Sequence, residues 1–149
     1  MVSLIQCVSY GKVIIREDLR AEIGSGVVIF IGFVKDDNET TLKNHMHRLI
    51  HLRVLPDSKG KINISIKESG GEILLVPQFT LAASLKKGNQ PSFDSALRQS
   101  LAEELFIKGY ELLAKTMPNK VRKGVFGADM RIELCNLGPN TYHLDSNLD

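Results

Sequence analysis

Apolar positions divide the chain into short alternating or continuous runs and two longer stretches of helical period. Residues 2–9 and 12–15 have the look of two strands, with Tyr10-Gly11 as a turn between them. Gly24-Ser25-Gly26 interrupts the chain before Val27-Val28-Ile29-Phe30-Ile31, a β-branched and aromatic run typical of a central strand. Asp36 with Glu39 three residues on matches a helix capping box, and Leu42, Met46, Leu49 and Ile50 then repeat at helical spacing, predicting a helix over 38–51. Pro56 to Gly60 reads as a turn, and Ile62, Ile64 and Ile66 alternate with polar residues as a half-buried strand does.

Gly70-Gly71 turns the chain into a further strand, Glu72 to Leu81. After a polar loop, Ser92 or Asp94 is placed to cap a helix whose apolar face is Leu97, Leu101, Leu105 and Leu112, and Pro118 stops it. Val125 to Leu134 is expected to form a late strand, Gly138-Pro139 a sharp turn, and Tyr142 to Leu144 a last short strand. Strands outnumber helices and do not alternate regularly with them. The pattern therefore predicts an α+β fold with two main helices, a single domain over 1–149, and no doubly wound nucleotide-binding sheet.

Bulk properties narrow the class further. At 149 residues the chain can bury a core without disulfide or metal staples. Its 43% apolar and 24% charged content is ordinary for a globular protein. The start, Met1 to Gln6, lacks the basic segment and continuous apolar stretch of a signal peptide. The longest apolar run, Val27 to Val34, is far short of the roughly 20 residues a membrane span needs. Cys7 and Cys135 fall in predicted strands, where buried reduced thiols are expected. A cytoplasmic location follows, with no membrane partner.

A net charge of +2 does not diagnose nucleic-acid binding, but local basic patches exist. Residues 108–131 hold Lys108, Lys115, Lys120, Arg122, Lys123 and Arg131 against Glu111 and Asp129, and Lys86-Lys87 forms a second cluster.

Conventional catalytic sets are missing. There is no phosphate loop or dinucleotide fingerprint. His47 and His51 share a helical face near His45, yet no glutamate in the zinc-protease position and no nearby cysteine completes a metal set, so a solvated or RNA-facing helix is the reading. No G-x-S-x-G elbow exists, and His143 stands as a general-base candidate without a neighbouring nucleophile. No cofactor is implied.

Several segments nevertheless form a set: Val76-Pro77-Gln78-Phe79-Thr80-Leu81-Ala82-Ala83, Gln90-Pro91-Ser92-Phe93, Asn136-Leu137-Gly138-Pro139-Asn140-Thr141, the opening Leu4-Ile5-Gln6-x-Val8-Ser9, and Phe126-Gly127-Ala128-x-Met130. In this order and spacing the chain resembles the D-aminoacyl-tRNA deacylase family nearly end to end. The resemblance implies a β-rich, barrel-like subunit and a homodimer with active sites at the subunit interface. It also implies an aminoacyl-tRNA partner, bound by its 3′-terminal adenosine and amino acid, whose ester is hydrolysed. Gln78, Phe79 and Thr80 would then line the ester pocket, backbone N–H groups near Gln78 and Phe79 would stabilise the oxyanion, and Thr80 would be the candidate side-chain nucleophile. Positioning of water, helped by the ribose 2′-hydroxyl, is favoured over covalent attack because no base adjoins Thr80. Gly138-Pro139 would carry a cis bond and present its carbonyls to the partner's pocket as a wall against L-amino acids. Phe126, Gly127 and Met130 resemble the adenosine-side segment.

Four positions depart from the family pattern. Pro77 stands where serine is usual, Cys7 where an arginine is understood to brace the Gly-Pro loop, Asn140 where valine is common, and Ser84 where aspartate is usual. Pro77 cannot donate to a sheet and belongs at an edge. A related animal branch also carries Pro-Gln, with a trans Gly-Pro bond and activity on L-alanine misattached to tRNA. An editing deacylase of relaxed chirality, acting on L-Ala- or Gly-mischarged tRNA, and a catalytically silent tRNA-end-binding paralogue are accordingly the alternatives.

Overall fold

The protein is described from a computed structural model over residues 1–86 and 88–147. In chain order the elements are β1 (Val2–Ile15), β2 (Asp18–Ile23), β3 (Gly26–Gly32), α1 (Glu39–His51), β4 (Arg53–Pro56), β5 (Ile62–Ser65), β6 (Glu72–Pro77), a 3₁₀ turn (Phe79–Ala82), α2 (Gln99–Thr116), β7 (Val121–Lys123) and β8 (Arg131–Asp145). The main sheet runs β2-β1-β3-β6-β7, with β8 also paired to β1, and β4-β5 form a separate two-stranded sheet. β3, β6 and β7 are parallel neighbours, while β1 is antiparallel to β2, β3 and β8. The architecture is the expected strand-rich, barrel-like α+β fold with two helices.

Two cores explain the curvature. On one face Ile5, Ile29, Ile73 and Leu75 pack against Leu42, Leu49, Phe106 and Leu113 of the helices. On the other, Val8, Val13, Ile23, Val28, Leu74 and Val76 form a second cluster inside the curl. Successive residues of β3 and β6 thus feed opposite cores, which is why both read as continuous apolar runs. β1 and β8 are long enough to serve both: Ile132 and Leu134 pack on the second cluster, Tyr142 and Leu144 belong with the first.

Several boundaries differ from expectation. Tyr10-Gly11 is not a turn, since β1 continues through it, pairing with β3 up to Val8 and with β2 from Gly11. Register shifts toward β8 between Gln6 and Gly11 make the bend by bulging. Gly11 is needed there for packing, because a Cβ would lie 2.7 Å from Val28 Cγ2. The hairpin turn falls instead at Arg16-Glu17, with φ of 48° and 68°.

The α1 cap is Asn38, not Asp36. Its side chain accepts from the Thr40 and Thr41 N–H groups, and Thr41 Oγ1 accepts from the Asn38 N–H in return. β6 ends at Pro77 rather than Leu81, because the chain turns into the 3₁₀ segment while Gln78 N still donates to the Ile31 carbonyl (2.8 Å). Neither Ser92 nor Asp94 caps α2, which begins at Gln99. Ser92 Oγ instead bonds Asp94 (2.8 Å), and the segment runs beside Phe33–Lys35 through Lys35 N to Ser95 O and Leu97 N to Phe33 O. The buried face of α2 is Ala102, Leu105, Phe106, Gly109 and Leu113, which leaves Leu101 39% exposed. The strand expected from Val125 starts only at Arg131, and Gly138-Pro139 and Tyr142–Leu144 are all part of β8 rather than a turn and a separate strand. Cys7 is buried as expected, but Cys135 is exposed; both are free thiols.

Candidate active site

The end of β6, the 3₁₀ turn, the start of α2 and the loop between β7 and β8 enclose a cleft of about 530 Å³. Six candidates from the sequence line it together: Pro77, Gln78, Phe79, Phe126, Gly127 and Met130, joined by Gln99, Ala102 and Asp129. Backbone constraints bring these distant segments into contact. Gly124 N donates to the Leu75 carbonyl (2.8 Å), which docks the loop on β6. A Cβ on Gly124 would lie 3.0 Å from Met130 Sδ and 3.2 Å from Pro77 Cδ, so glycine permits the closure. Gly127 takes a φ of 73°, a left-handed turn that returns the chain toward Met130. On the other side, a Cβ on Gly32 would lie 2.7 Å from the Gln78 carbonyl, so β3 must end in glycine for the 3₁₀ turn to sit where it does.

Phe126 is half in the core, its ring 5.9 Å from that of Phe106. Phe79 is 64% exposed and meets Phe93 at 5.1 Å, making an aromatic ledge beside the cleft. Thr80 does not line the cleft; its hydroxyl accepts a hydrogen bond from the Gln78 amide. Gly138 and Pro139 are not at this cleft either. They lie exposed on β8, joined by a cis peptide bond, the isomer the resemblance implies, with Gly138 at φ 110°. Asn136 ties this segment to β1, its amide donating to the Cys7 carbonyl (2.9 Å) and to the Asn140 carbonyl (3.1 Å).

Among the described residues Asp129 is the only ionisable one lining the cleft, and no histidine, cysteine or lysine does. His143 is exposed on β8 opposite Leu4. His45 is buried against Ser3 (2.8 Å), and among the described residues no His, Cys, Asp and Glu group is arranged to hold a metal. The chemistry available is therefore apolar enclosure, amide hydrogen bonding from Gln78, and backbone donors. A 3₁₀ turn leaves its first N–H groups, here Phe79 and Thr80, without a carbonyl inside the turn. Sequence reasoning missed Gln99 and Ala102, ordinary residue types that only the fold brings to the wall, and Gly124, which docks the loop that carries Phe126 and Met130.

Comparison with known proteins agrees with this architecture. The family profile described as D-Tyr-tRNA(Tyr) deacylase matches residues 4–145. The D-aminoacyl-tRNA deacylase of Pseudoalteromonas translucida (strain TAC 125) is 42% identical over 144 residues, covering 97% of this chain and 99% of the relative. That of Francisella tularensis subsp. tularensis (strain WY96-3418) is 40% identical over 142 residues, covering 95% and 97%. Among solved structures, the c-Myc DNA Unwinding Element Binding Protein superposes with a TM-score of 0.93 at 33% identity, covering 97% of this chain and 98% of that one. A probable eukaryotic D-amino acid tRNA deacylase shares the fold, with a TM-score of 0.84 at 18% identity over 96% and 97% of the two chains. With the profile matched over most of its length and relatives at this identity and coverage, the chain belongs to the D-Tyr-tRNA(Tyr) deacylase family.

Proposed function

We propose that the chain hydrolyses the ester of D-aminoacyl-tRNA, releasing the D-amino acid and free tRNA, and that it thereby proofreads chirality in translation, in the cytoplasm. The observation that carries the site assignment is the single cleft uniting Pro77, Gln78 and Phe79 with Phe126 and Met130. In this reading Phe126 and Met130 hold the terminal adenosine, and the ester lies along Gln78 and Phe79. Water adds to the acyl carbon, the N–H groups at the 3₁₀ turn stabilise the developing oxyanion, and the acyl C–O bond breaks with the proton passing to the ribose oxygen. An ester is an activated bond, so this modest apparatus suffices without a protein-borne base. Gln78 and Thr80 act by positioning.

The chirality wall is supplied by a second copy. Gly138 and Pro139 stand exposed outside their own chain's cleft, as a segment offered to a partner's pocket would. Leu137 at 45% and Phe79 at 64% exposure are apolar surface that a homodimer would cover. The relaxed-chirality reading rests on Pro77 and Cys7. Deacylation of D-Tyr-, L-Tyr-, Gly- and L-Ala-tRNA at substoichiometric protein separates the cases. Loss of the D-ester alone is expected. Comparable loss of L-Ala- or Gly-tRNA would establish the relaxed form, and loss of none a silent tRNA-end-binding protein.

A further inference from the structure

A second groove, of about 340 Å³, opens between the C-terminal halves of α1 and α2. Its floor is apolar, with Met46, Ile50 and Leu113 among the lining residues, while its rim carries Lys43, His47, His51 and Lys67. Among the described residues no carboxylate lines it. Of the acids nearby, Glu39 is paired with Lys108 and Glu68 with Arg53, while Glu111 borders the adjoining hollow that Lys43 also lines. The two imidazoles are held together, with ring centroids 4.3 Å apart and His51 Nδ1 donating to the His47 carbonyl (2.7 Å). That bond commits His51 Nδ1 as a donor, so a neutral His51 turns Nε2 outward as an acceptor, and the rim's outward cations are the Lys43 and Lys67 ammoniums. The groove therefore offers several cationic or donor groups around an apolar floor, complementary to a polyanionic backbone.

α2 links this groove to the ester cleft. Ala102 lines the cleft and Leu113 the groove; eleven residues apart, they lie on one helical face about 17 Å from each other along the axis. Gln99 and Thr116, at the outer limits of the two openings, are about 25 Å apart. An unpaired tRNA 3′ end seated in the cleft covers a distance of this order before the acceptor duplex begins. We propose that the α1–α2 groove holds backbone phosphates of the tRNA substrate, beyond its unpaired 3′ end. This rests on the deacylase reading above, and it assigns to Lys43 and Lys67, with His47 beside them on the rim, an affinity role without base readout.

The test is the double charge reversal Lys43→Glu with Lys67→Glu, with Lys43→Gln and Lys67→Gln as the milder pair. For D-Tyr-tRNA, kcat/KM is expected to fall by about tenfold or more through KM, and the slope of its logarithm against log salt to become shallower by about 1.5–2. Turnover of 3′-(D-tyrosyl)adenosine, which has no tRNA body, is expected to stay within about twofold. The glutamine pair is expected to show the same pattern at smaller amplitude. An unchanged salt slope and KM on tRNA, or equal losses on both esters in the glutamine pair, would overturn the proposal. Filter binding of uncharged tRNA separates its failure from that of the deacylase reading. If the unaltered protein hydrolyses neither D-ester, weaker tRNA retention by the charge-reversed protein still supports the groove, and equal retention removes it.

Discussion

His45 gives a pH dependence that can be worked from its surroundings. The imidazole is 3% exposed and shares a 2.8 Å hydrogen bond with the Ser3 hydroxyl. Burial pushes its pKa down from 6.5 to about 4; the Met1 ammonium and Arg48 push the same way, and Asp145 opposes them. A histidine whose folded pKa is depressed stays neutral in the fold while the unfolded chain takes up a proton. Stability is therefore full above pH 6.5 and declines as pH falls toward about 4, where the folded ring at last titrates too. At 1.36 kcal/mol per unit the whole gap is worth about 3 kcal/mol, and about 2.5 kcal/mol of it is lost by about pH 4.5. The perturbation is His45→Gln, which keeps an amide for Ser3 but cannot titrate. Urea unfolding at about pH 7.5 and about pH 4.5 is the assay: the unaltered protein should lose about 2.5 kcal/mol more than the variant on acidification. Equal losses in the two proteins would refute the reasoning, since they would mean His45 is already protonated in the fold or never buried.

Two further predictions concern the site. Asn136→Ala removes two half-buried amide bonds, to the Cys7 and Asn140 carbonyls, and should cost about 1–3 kcal/mol in urea unfolding while eroding discrimination between D-Tyr- and L-Tyr-tRNA. Asn136→Asp, which when ionised cannot donate, should do at least as much harm, so a near-neutral Asp variant would show that donation is not the role. Thr80→Val deletes the hydroxyl bonded by Gln78, the loss of about one neutral hydrogen bond. Deacylation should then fall by less than about tenfold. A loss of a thousandfold or more at unchanged stability, read in single-turnover assays, would instead establish a chemical step on the hydroxyl.

Where periodicity was legible, it was so because burial is one-sided or complete. Val27 to Ile31 reads as a central strand since alternate residues enter two cores, and the helix over Leu42, Met46 and Leu49 reads correctly since only one stripe is buried. The failures have equally local causes. The Asp18–Ile23 strand was hidden behind a turn built from Arg16 and Glu17, residues that rarely take positive φ. Tyr10-Gly11 carries turn composition, but Gly11 is there for contact with Val28, and pairing to β8 keeps the chain extended. The capping residues before α2 were plausible by type and were taken up by the Ser92–Asp94 bond and the strand-like run beside Phe33. Of the basic pair Lys86-Lys87, Lys87 lies outside the described residues.

The site itself was beyond periodicity, because its wall, Asp129 apart, consists of neutral residues from segments some fifty positions apart, joined by glycine contacts that composition does not announce. Motif resemblance supplied Gln78, Phe79 and Met130; the fold supplied the reason they meet. Cys7 shows how far a departure from a family pattern can be judged by residue type alone. An arginine replaced by cysteine looks like a lost brace. In the fold the Cys7 thiol points into the helix-side core toward the Val54 carbonyl (3.5 Å), where burial pushes its pKa up and its neighbour on β8 is Tyr142. It is the Cys7 main-chain carbonyl that ties down the Gly138-Pro139 segment, by accepting from Asn136, which also holds Asn140 across that pair. A contact that involves the backbone of residue 7 survives any side chain there, provided residue 136 keeps its amide. Position 136, rather than position 7, is therefore where loss of this segment's anchoring should be sought.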